Sequence, residues 1–299
     1  MNRILEMEVF AAVVEAGSFV GAIDVLRMSK AAVSRHVEAL EQRLGVRLLQ
    51  RTTRKLSLTD EGRTFYQRSK DILSSLEDAE AEMTSSTAEP SGVIRINAPL
   101  TFGVLHLAPL WSAFMEAAPK VDLDISLNDR LVDLVDEGFD LAVRIGALNS
   151  SSLVSRRLAT TRMRLCASPG YLARYGAPEH PSALTEHRVI AYTNWAERDE
   201  WRFDGPDGSV SVRTQAKIYS NNGDTCRTIA LQDGGILLQP DFMLADDLRR
   251  GDLVELMPNF RSLELGIYAV YPTRKQVPLK VRRLVAFLSK AFERVSWAT

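Results

Sequence analysis

Three helical patterns with two tight breaks fill the first part of the chain, and this spacing constrains the fold more than any other feature. Apolar residues recur at helical intervals in residues 6–15, 19–26 and 30–44. Gly17 is suited to end the first helix, and Arg27-Met28-Ser29 separates the second helix from the third, with Ser29 as its N-cap. Two helices joined by a turn of about three residues predict a helix-turn-helix.

A short hairpin is predicted directly after the third helix. Gly45 is suited to close that helix, residues 48–51 and 56–58 are strand candidates, and the loop 52–55 between them is basic. Together with the three helices, this wing predicts a mainly α-helical winged helix-turn-helix domain over residues 1–59.

The charge of the chain is unevenly distributed. Its 37 Lys and Arg against 38 Asp and Glu give a net charge of −1. Residues 27–55 nevertheless hold eight basic and two acidic residues, whereas residues 60–89 hold three basic and eight acidic residues. A basic block over a helix-turn-helix indicates a local contact with double-stranded DNA.

The N-terminal turns of the third helix are the predicted DNA-reading surface, because recognition helices present these turns to the major groove. Arg can bond guanine and Ser can bond a base or a phosphate, while basic wing residues hold the backbone or enter the minor groove. Taken singly, each side chain is better explained as a solvated surface group; their common placement favours DNA contact. The predicted contacts are Ser29, Lys30, Ala31, Ser34, Arg35, Arg51, Arg54 and Lys55.

A long helix is predicted after the wing, from Asp60 to about Thr84, with Thr59 as its N-cap. Its apolar positions alternate four and three apart, which is the pattern of a coiled-coil seam. We expect the seam to pair two chains in a homodimer, and the alternative is a seam packed on its own chain. The predicted dimerisation residues are Phe65, Ile72, Leu76, Ala79 and Met83.

The polar segment 85–92 is predicted to be a hinge, which makes residues 60–89 a linker and 90–299 a separate domain. Strands and helices alternate beyond it, and this alternation favours a parallel α/β architecture. The predicted strands are 93–97, 122–128, 141–145 and 164–167, and the predicted helices are 105–117 and 132–137.

Five runs in the first 62 residues resemble the N-terminal domain of LysR-type transcriptional regulators. They are Gly17-Ser18-Phe19, residues 29–37, residues 40–49, Arg51-Thr52-Thr53-Arg54 and Leu58-Thr59-Asp60-Glu61-Gly62. The resemblance continues over nearly the whole chain and implies a transcription regulator that is controlled by a small-molecule effector. It also implies a homodimer, with two dimers joined in a homotetramer.

One departure from the resembled family lies at the start of the third helix, in the predicted DNA-reading surface. Family members often carry Gln-Pro where this chain has Lys30-Ala31. Lys30 brings a charge where an amide would read bases, so the operator preference of relatives is not carried over to this chain.

The resemblance implies a regulatory domain built like periplasmic binding proteins, with two α/β lobes around a cleft. Lobe one is expected over about 93–163 and 268–299, and lobe two over about 164–267. Ligands of such sheets bind outside the carboxyl ends of strands, which gives the candidate effector contacts Thr101, Phe102, Arg144, Asn222, Asp224 and Pro240. As alternatives, Asp224 caps a helix and Arg144 pairs with Asp140 or Asp129.

Other protein classes find less support. The four histidines are scattered, and Gly234-Gly235 is not part of a nucleotide-binding motif, so we expect no catalytic residues, metal or cofactor. Cys166 and Cys226 are expected to be buried free thiols. With no apolar stretch of about 20 residues and no signal peptide, the expected location is the cytoplasm and no membrane is expected as a partner. A DNA-binding architectural protein without effector and a small-molecule enzyme stay open as alternatives.

Overall fold

The structure is a computed structural model that describes residues 2–51, 56–84, 89–146, 153–195, 199–272, 277–293, 295 and 297. The chain divides into two compact units, Met1–Ala88 and Glu89–Thr299. No described helix is both long enough and apolar enough to cross a membrane.

Three short helices form the body of the first unit, as the sequence predicts. They are α1 (Arg3–Glu15), α2 (Gly21–Leu26) and α3 (Lys30–Leu44). The Ser29 hydroxyl caps α3 by accepting from the Ala32 amide at 3.3 Å, and Gly45 ends it in a left-handed conformation, with φ of 70°. The second helix begins later than predicted, because the Ser18 hydroxyl accepts from the Gly21 amide and holds the preceding residues in a turn.

The predicted wing strands pair antiparallel as β1 (Leu49–Arg51) and β2 (Leu56–Leu58). The loop 52–55 between them lies outside the described residues. The buried carboxylate of Glu41, on α3, accepts from the amides of Leu48 and Leu49 at 2.8 and 3.1 Å. This pair of bonds fixes the base of the wing to the recognition helix.

The fourth helix, α4 (Asp60–Thr84), has the predicted bounds. The Thr59 hydroxyl caps it by accepting from the Gly62 amide at 2.8 Å. Gly62 is required there, because a Cβ atom would lie 1.9 Å from the Leu48 carbonyl oxygen. Phe65 packs on Phe10 in the core of this unit, with ring centroids 5.9 Å apart, so the first predicted seam residue contacts its own chain.

The second unit is built on one large sheet. Its longer strands are β3 (Ser91–Ala98), β4 (Lys120–Leu127), β5 (Leu141–Gly146), β6 (Leu153–Ala167), β7 (Val189–Tyr192), β11 (Ile236–Pro240) and β13 (Glu264–Pro272). The shorter ones are β10 (Ile218–Ser220) and β12 (Val254–Glu255), and β8 (Glu200–Gly205) and β9 (Gly208–Arg213) form a separate hairpin. The strand order of the sheet is β10-β7-β11-β6-β13-β5-β3-β4, with β12 also paired to β6.

The parallel architecture that the alternation of elements favours holds for the two outer parts of the sheet, but the sheet as a whole is mixed. β3 pairs parallel to β4 and β5, and β7 pairs parallel to β10 and β11. β6 and β13 run antiparallel to each other and to their outer neighbours β11 and β5. These two long antiparallel strands lie in the middle of the sheet and join its two parallel halves.

The chain passes between the two halves of the sheet along β6 and at the start of β13. Arg162 on β6 pairs with β13, whereas Met163 pairs with β11. The return lies at Leu263, whose carbonyl oxygen accepts from the Met163 amide at 3.0 Å, and Glu264 then begins β13. We call the β3-β4-β5-β13 half lobe one and the β7-β10-β11 half lobe two. The chain therefore returns from lobe two to lobe one before the boundary predicted at 267–268.

Two helix predictions in this unit need correction. The predicted helix 105–117 starts earlier and changes pitch, as α5 (Leu100–Phe102), a π turn (Gly103–Leu107), a 3-10 turn (Ala108–Leu110) and α6 (Trp111–Ala117). Pro109, which lacks an amide hydrogen, lies where the pitch changes. Residues 132–137 form a single turn instead of a helix, because Asp133 caps the amides of Val135 and Asp136 and Gly138 ends the turn at φ of 73°.

The remaining helices are α7 (Pro169–Tyr175), α8 (Gly223–Leu231), α9 (Asp241–Arg250) and α10 (Leu279–Ala291), with a 3-10 segment at Pro181–Glu186. Two large clusters of buried apolar side chains form the main cores, and β11 contributes to both of them. One core includes Ile94, Ile96, Phe102, Phe114 and Leu284, and the other includes Leu165, Tyr171, Trp201, Phe203 and Leu238. The packed sheet halves hold the ends of their strands in fixed positions around one cavity.

Candidate functional site

The start of α3 offers an exposed, positively charged surface. Lys30, Ala31 and Arg35 are exposed and Ser34 is half-buried, while Val33 and Val37 fill the core behind them. Because α3 buries its apolar face, the residues predicted to contact DNA face outward. Ser29 is also exposed, but its hydroxyl is occupied by the N-cap bond.

Ion pairs divide the basic block into two kinds of residue. Arg43 is paired with Glu6 at 2.8 Å, and Arg47 with Glu41 at 3.2 Å, so these charges are used within the unit. Lys30 and Arg35 have no ion-pair partner in the part of the chain that the structure describes. Their charges are therefore available to an external anion.

Arg27 is a third exposed cation, which the sequence reasoning placed only in the turn. Its φ of 51° is left-handed, a conformation that is uncommon for residues other than glycine. The side chain of Arg51 and all of Arg54 and Lys55 lie outside the described residues.

The remaining predicted dimerisation residues lie along α4. The side chain of Ile72 is 47% exposed and that of Leu76 is half-buried. The side chains of Ala79 and Met83 lie outside the described part of the chain. Ile72 and Leu76 are thus the described seam residues that a second chain can cover.

A cavity of about 400 Å³ lies between the lobes of the second unit. Lobe one contributes segments that follow β3 and β4 and the end of β5, and lobe two contributes the segment after β7 and the starts of α8 and α9. The parallel strands contribute their carboxyl ends, where ligands of α/β sheets bind, and the central antiparallel strands add Leu153, Leu265 and Val270. The lining includes Thr101, Phe102, Asn128, Asp129, Arg130, Arg144, Tyr192, Asn194, Trp195, Gly223, Gln239, Pro240 and Phe242.

Four of the six predicted effector contacts line this cavity: Thr101, Phe102, Arg144 and Pro240. Asn222 and Asp224 flank the lining residue Gly223. Asn222, not Asp224, is the N-cap of α8, because its side-chain oxygen accepts from the Thr225 amide at 2.8 Å. Asp224 instead accepts from the Thr101 hydroxyl at 2.6 Å and so joins the two lobes.

Arg144 does not form the ion pair with Asp140 or Asp129 that the sequence left open. Its guanidinium donates to the carbonyl oxygens of Val132 at 2.7 Å and Arg130 at 3.4 Å, and the described residues hold no ion-pair partner for it. Burial lowers the pKa of Arg144, as expected for a cation that is only partly solvated.

Hydrogen-bond acceptors line the wall of lobe one at the end of β4. The Asn128 side-chain oxygen is buried and has no partner among the described residues. Next to it, burial raises the pKa of the Asp129 carboxyl, and the charge of Asp224 adds to this effect. Asn128 and Asp129 follow the predicted strand end directly, so the strand-end rule that selected Thr101 would also have selected them.

Lobe two adds polar groups that sequence reasoning missed. The Asn194 amide donates to the backbone oxygens of Asp129 in lobe one and Asn221 in lobe two. Burial raises the pKa of the Tyr192 hydroxyl to about 12, so this hydroxyl stays protonated at neutral pH. No local pattern identified the stretch after β7, because it lies outside the recognisable helices and strand motifs.

The two cysteines are buried free thiols, as the sequence suggested. Burial raises the pKa of the Cys226 thiol to about 11 and raises that of Cys166 further. Because the thiolate is the reactive form, burial disfavours reaction of both thiols at neutral pH. The described residues contain no group of three or more side chains suited to hold a metal.

Comparison with known proteins assigns both units to one family. Residues 4–63 match "Bacterial regulatory helix-turn-helix protein, lysR family", and residues 87–293 match "LysR substrate binding domain". An uncharacterized HTH-type transcriptional regulator of Haemophilus influenzae is 36% identical over 94% of this chain and 98% of its own length. The HTH-type transcriptional regulator PtxR of Pseudomonas aeruginosa is 34% identical over 93% of this chain and 89% of its own.

A solved structure agrees with this assignment. CrgA, a LysR-type transcriptional regulator from Neisseria meningitidis, is 33% identical, covers 97% of this chain and 98% of its own, and has a TM-score of 0.64. The chain therefore belongs to the LysR family of transcription regulators, which bind DNA and respond to small-molecule effectors.

Proposed function

We propose that the cavity between the lobes is the effector site of this regulator, and that effector binding there changes how the protein binds its operator DNA. One observation carries the proposal: polar side chains of both lobes converge on a single cavity of about 400 Å³, next to the Thr101–Asp224 bond. A ligand that contacts both lobes binds their closed arrangement better than an open one, and this difference in affinity is what a ligand-driven switch requires.

The direct test is footprinting on the DNA upstream of the gene for this protein and its divergent neighbour, with and without candidate metabolites. We expect protection of two half-sites and a change in the footprint when an effector is added. Protection that no metabolite alters would favour an architectural DNA-binding protein. Turnover of any metabolite by the purified protein would favour an enzyme.

The Thr101→Val variant is expected to weaken effector binding without changing the shape of the cavity. It removes a hydrogen bond to a carboxylate, worth about 1.5–3 kcal/mol, that favours the closed lobes. The apparent Kd should therefore rise by about tenfold or more in calorimetry with an effector found by footprinting. The matched control is Thr185→Val, whose exposed hydroxyl bonds within one lobe. Equal losses of affinity in both variants would refute a role for the Thr101–Asp224 bond in effector binding.

The proposed DNA-reading surface is the exposed start of α3. The Arg35→Ala variant is expected to lose about 1–3 kcal/mol of affinity for the specific operator and little affinity for random DNA, as measured by gel shift. Arg63→Ala, which removes an exposed arginine from α4, serves as the control. If Arg35→Ala binds the operator like the unaltered protein, Arg35 does not read a base.

The proposed assembly is a homodimer paired through α4 and a homotetramer formed by two such dimers. The exposed apolar side chains of Ile72 on α4 and of Val104 and Leu105 in the second unit support it, because adjacent exposed apolar residues favour association. Since its proposed target is double-stranded DNA, the proposed place of action is the cytoplasm.

A further inference from the structure

Arg27, in the turn between α2 and α3, has a backbone conformation that is unfavourable for arginine. Its φ of 51° and ψ of 38° lie in the left-handed region, where the Cβ atom of an L-residue comes too close to the following carbonyl oxygen. Glycine adopts this conformation without the penalty, and asparagine tolerates it better than most residues. A bulky residue kept in such a conformation indicates that its side chain serves a purpose that offsets the cost.

The two other non-glycine residues with a positive φ in the described part of the chain have such a purpose inside the fold. Asp233, with φ of 60°, accepts from the Ser168 hydroxyl at 2.8 Å and from the Arg174 guanidinium at 2.9 Å. Met257, with φ of 49°, is buried in one of the two main cores of the second unit. In both cases, contacts of the side chain offset the unfavourable backbone.

The side chain of Arg27 has no comparable contact in its own unit. It is exposed, and among the described residues it forms no hydrogen bond, ion pair or ring contact. One internal explanation is an attraction between this cation and the dipole of α2, at whose C-terminal end it lies. That effect would make Arg27 stabilising, whereas backbone strain makes it destabilising, so a substitution distinguishes the two.

The turn that holds Arg27 belongs to the DNA-binding motif. In a helix-turn-helix, the first helix crosses the DNA backbone and the N-terminal residues of the second helix contact bases in the major groove. Here these helices are α2 and α3, and a single residue separates Arg27 from Ser29, the N-cap of α3. The exposed cations Arg27 and Lys30 therefore lie on either side of this N-cap.

We propose that Arg27 is a further DNA-binding residue, and that its guanidinium pairs with a phosphate of the DNA backbone beside the groove that α3 enters. A phosphate suits this position because the planar guanidinium donates two parallel hydrogen bonds to its oxygens. The free energy gained on DNA offsets the strain that the turn carries in the free protein. The inference rests on the proposed DNA-reading surface at the start of α3 and does not involve the cavity between the lobes.

Binding of the full-length protein to a fluorescently labelled, random-sequence DNA duplex tests the phosphate contact, because such a contact does not depend on base sequence. Measured by anisotropy at salt concentrations of about 50–200 mM, Arg27→Asn and Arg27→Gly should weaken binding by about threefold to tenfold. The slope of log affinity against log salt should become shallower by about 1 for each bound head. Arg27→Lys should keep most of the affinity and of the slope, since an ammonium pairs with a phosphate as a point charge.

Thermal unfolding of the same variants tests the strain. Arg27→Asn and Arg27→Gly should raise the Tm of the first unit by up to about 4 °C, because both residues adopt the left-handed conformation more readily than arginine. Arg27→Lys should leave the Tm unchanged, since lysine has the same backbone restriction. The control is Arg68→Gln, which removes a positive charge from an exposed position of α4 and should alter neither DNA binding nor its salt dependence.

Three results would overturn the inference. They are unchanged DNA affinity in Arg27→Asn and Arg27→Gly, a loss in Arg68→Gln as large as theirs, and a lower Tm in both glycine and asparagine variants. The last result would assign Arg27 to stabilisation of α2. If Arg35→Ala loses operator affinity while the Arg27 variants bind like the unaltered protein, the DNA-reading surface stands and only the role of Arg27 is wrong.

Discussion

Replacement of Asp247 by alanine is expected to destabilise the second unit by about 3 kcal/mol. The Asp247 carboxylate on α9 is fully buried and accepts from Arg227 on α8 and from Arg250, each at 2.6 Å. Removing one partner of a buried ion pair costs about 3–5 kcal/mol, because the other charge is left uncompensated. The lower end applies here, since the Arg227 side chain is 27% exposed.

Thermal unfolding measures this loss. For a unit of this size, 3 kcal/mol corresponds to a decrease in Tm of about 6–12 °C. The control is Asp246→Ala at the preceding position, where an exposed ion pair with Arg249 contributes at most about 1 kcal/mol. Equal Tm values for the two variants would show that the buried pair does not stabilise the fold.

The same ion pair bears on the effector cavity. α8 and α9 both begin at its wall and approach closely there, since a Cβ atom on Gly223 would lie 2.5 Å from the Met243 methyl carbon. The bonds from Arg227 to Asp247 hold the two helices together behind this wall. We therefore expect Asp247→Ala to weaken effector binding even at temperatures at which the unit stays folded.

The first unit could be predicted closely because its structure follows local rules. The Ser29 cap, the left-handed Gly45 and the Thr59 cap act on residues within one helical turn, so the sequence alone predicts the bounds of α3 and α4. The assignment of Phe65 to the dimer seam left out its packing on its own chain, for the opposite reason. Its contact with Phe10 joins residues far apart in sequence, and periodicity does not reveal such a contact.

The second unit was predicted less completely because its decisive contacts are long-range. The strand predicted at 164–167 is the end of β6, which extends from Leu153 and pairs with both β11 and β13. The cavity likewise joins segments near residues 101, 128, 144, 192 and 240. The strand-end rule selects single segments that line the cavity, such as the one with Arg144, but only the sheet order shows that Asn128 lies two strands away from it.

Replacement of Leu76 by lysine is expected to convert the proposed dimer into a monomer, because it puts a charge into the apolar seam of α4. Two linked DNA-binding heads gain about 10²–10⁴-fold in affinity from simultaneous binding, so the operator affinity should fall by a factor in this range. The salt dependence of binding should fall by about half, since one head contacts half as many phosphates. Light scattering and gel shifts at several salt concentrations measure these effects.

Two variants on the same helix separate loss of the dimer from loss of the fold. Thr64→Lys adds the same charge at an exposed position outside the seam and should leave the mass unchanged. Phe65→Ala should lower the Tm of the first unit without dissociating the dimer, because Phe65 packs on Phe10 of its own chain. A Leu76→Lys protein with unchanged mass would instead mean that the seam packs on its own chain, and the two DNA-binding heads would then need another contact to be held together.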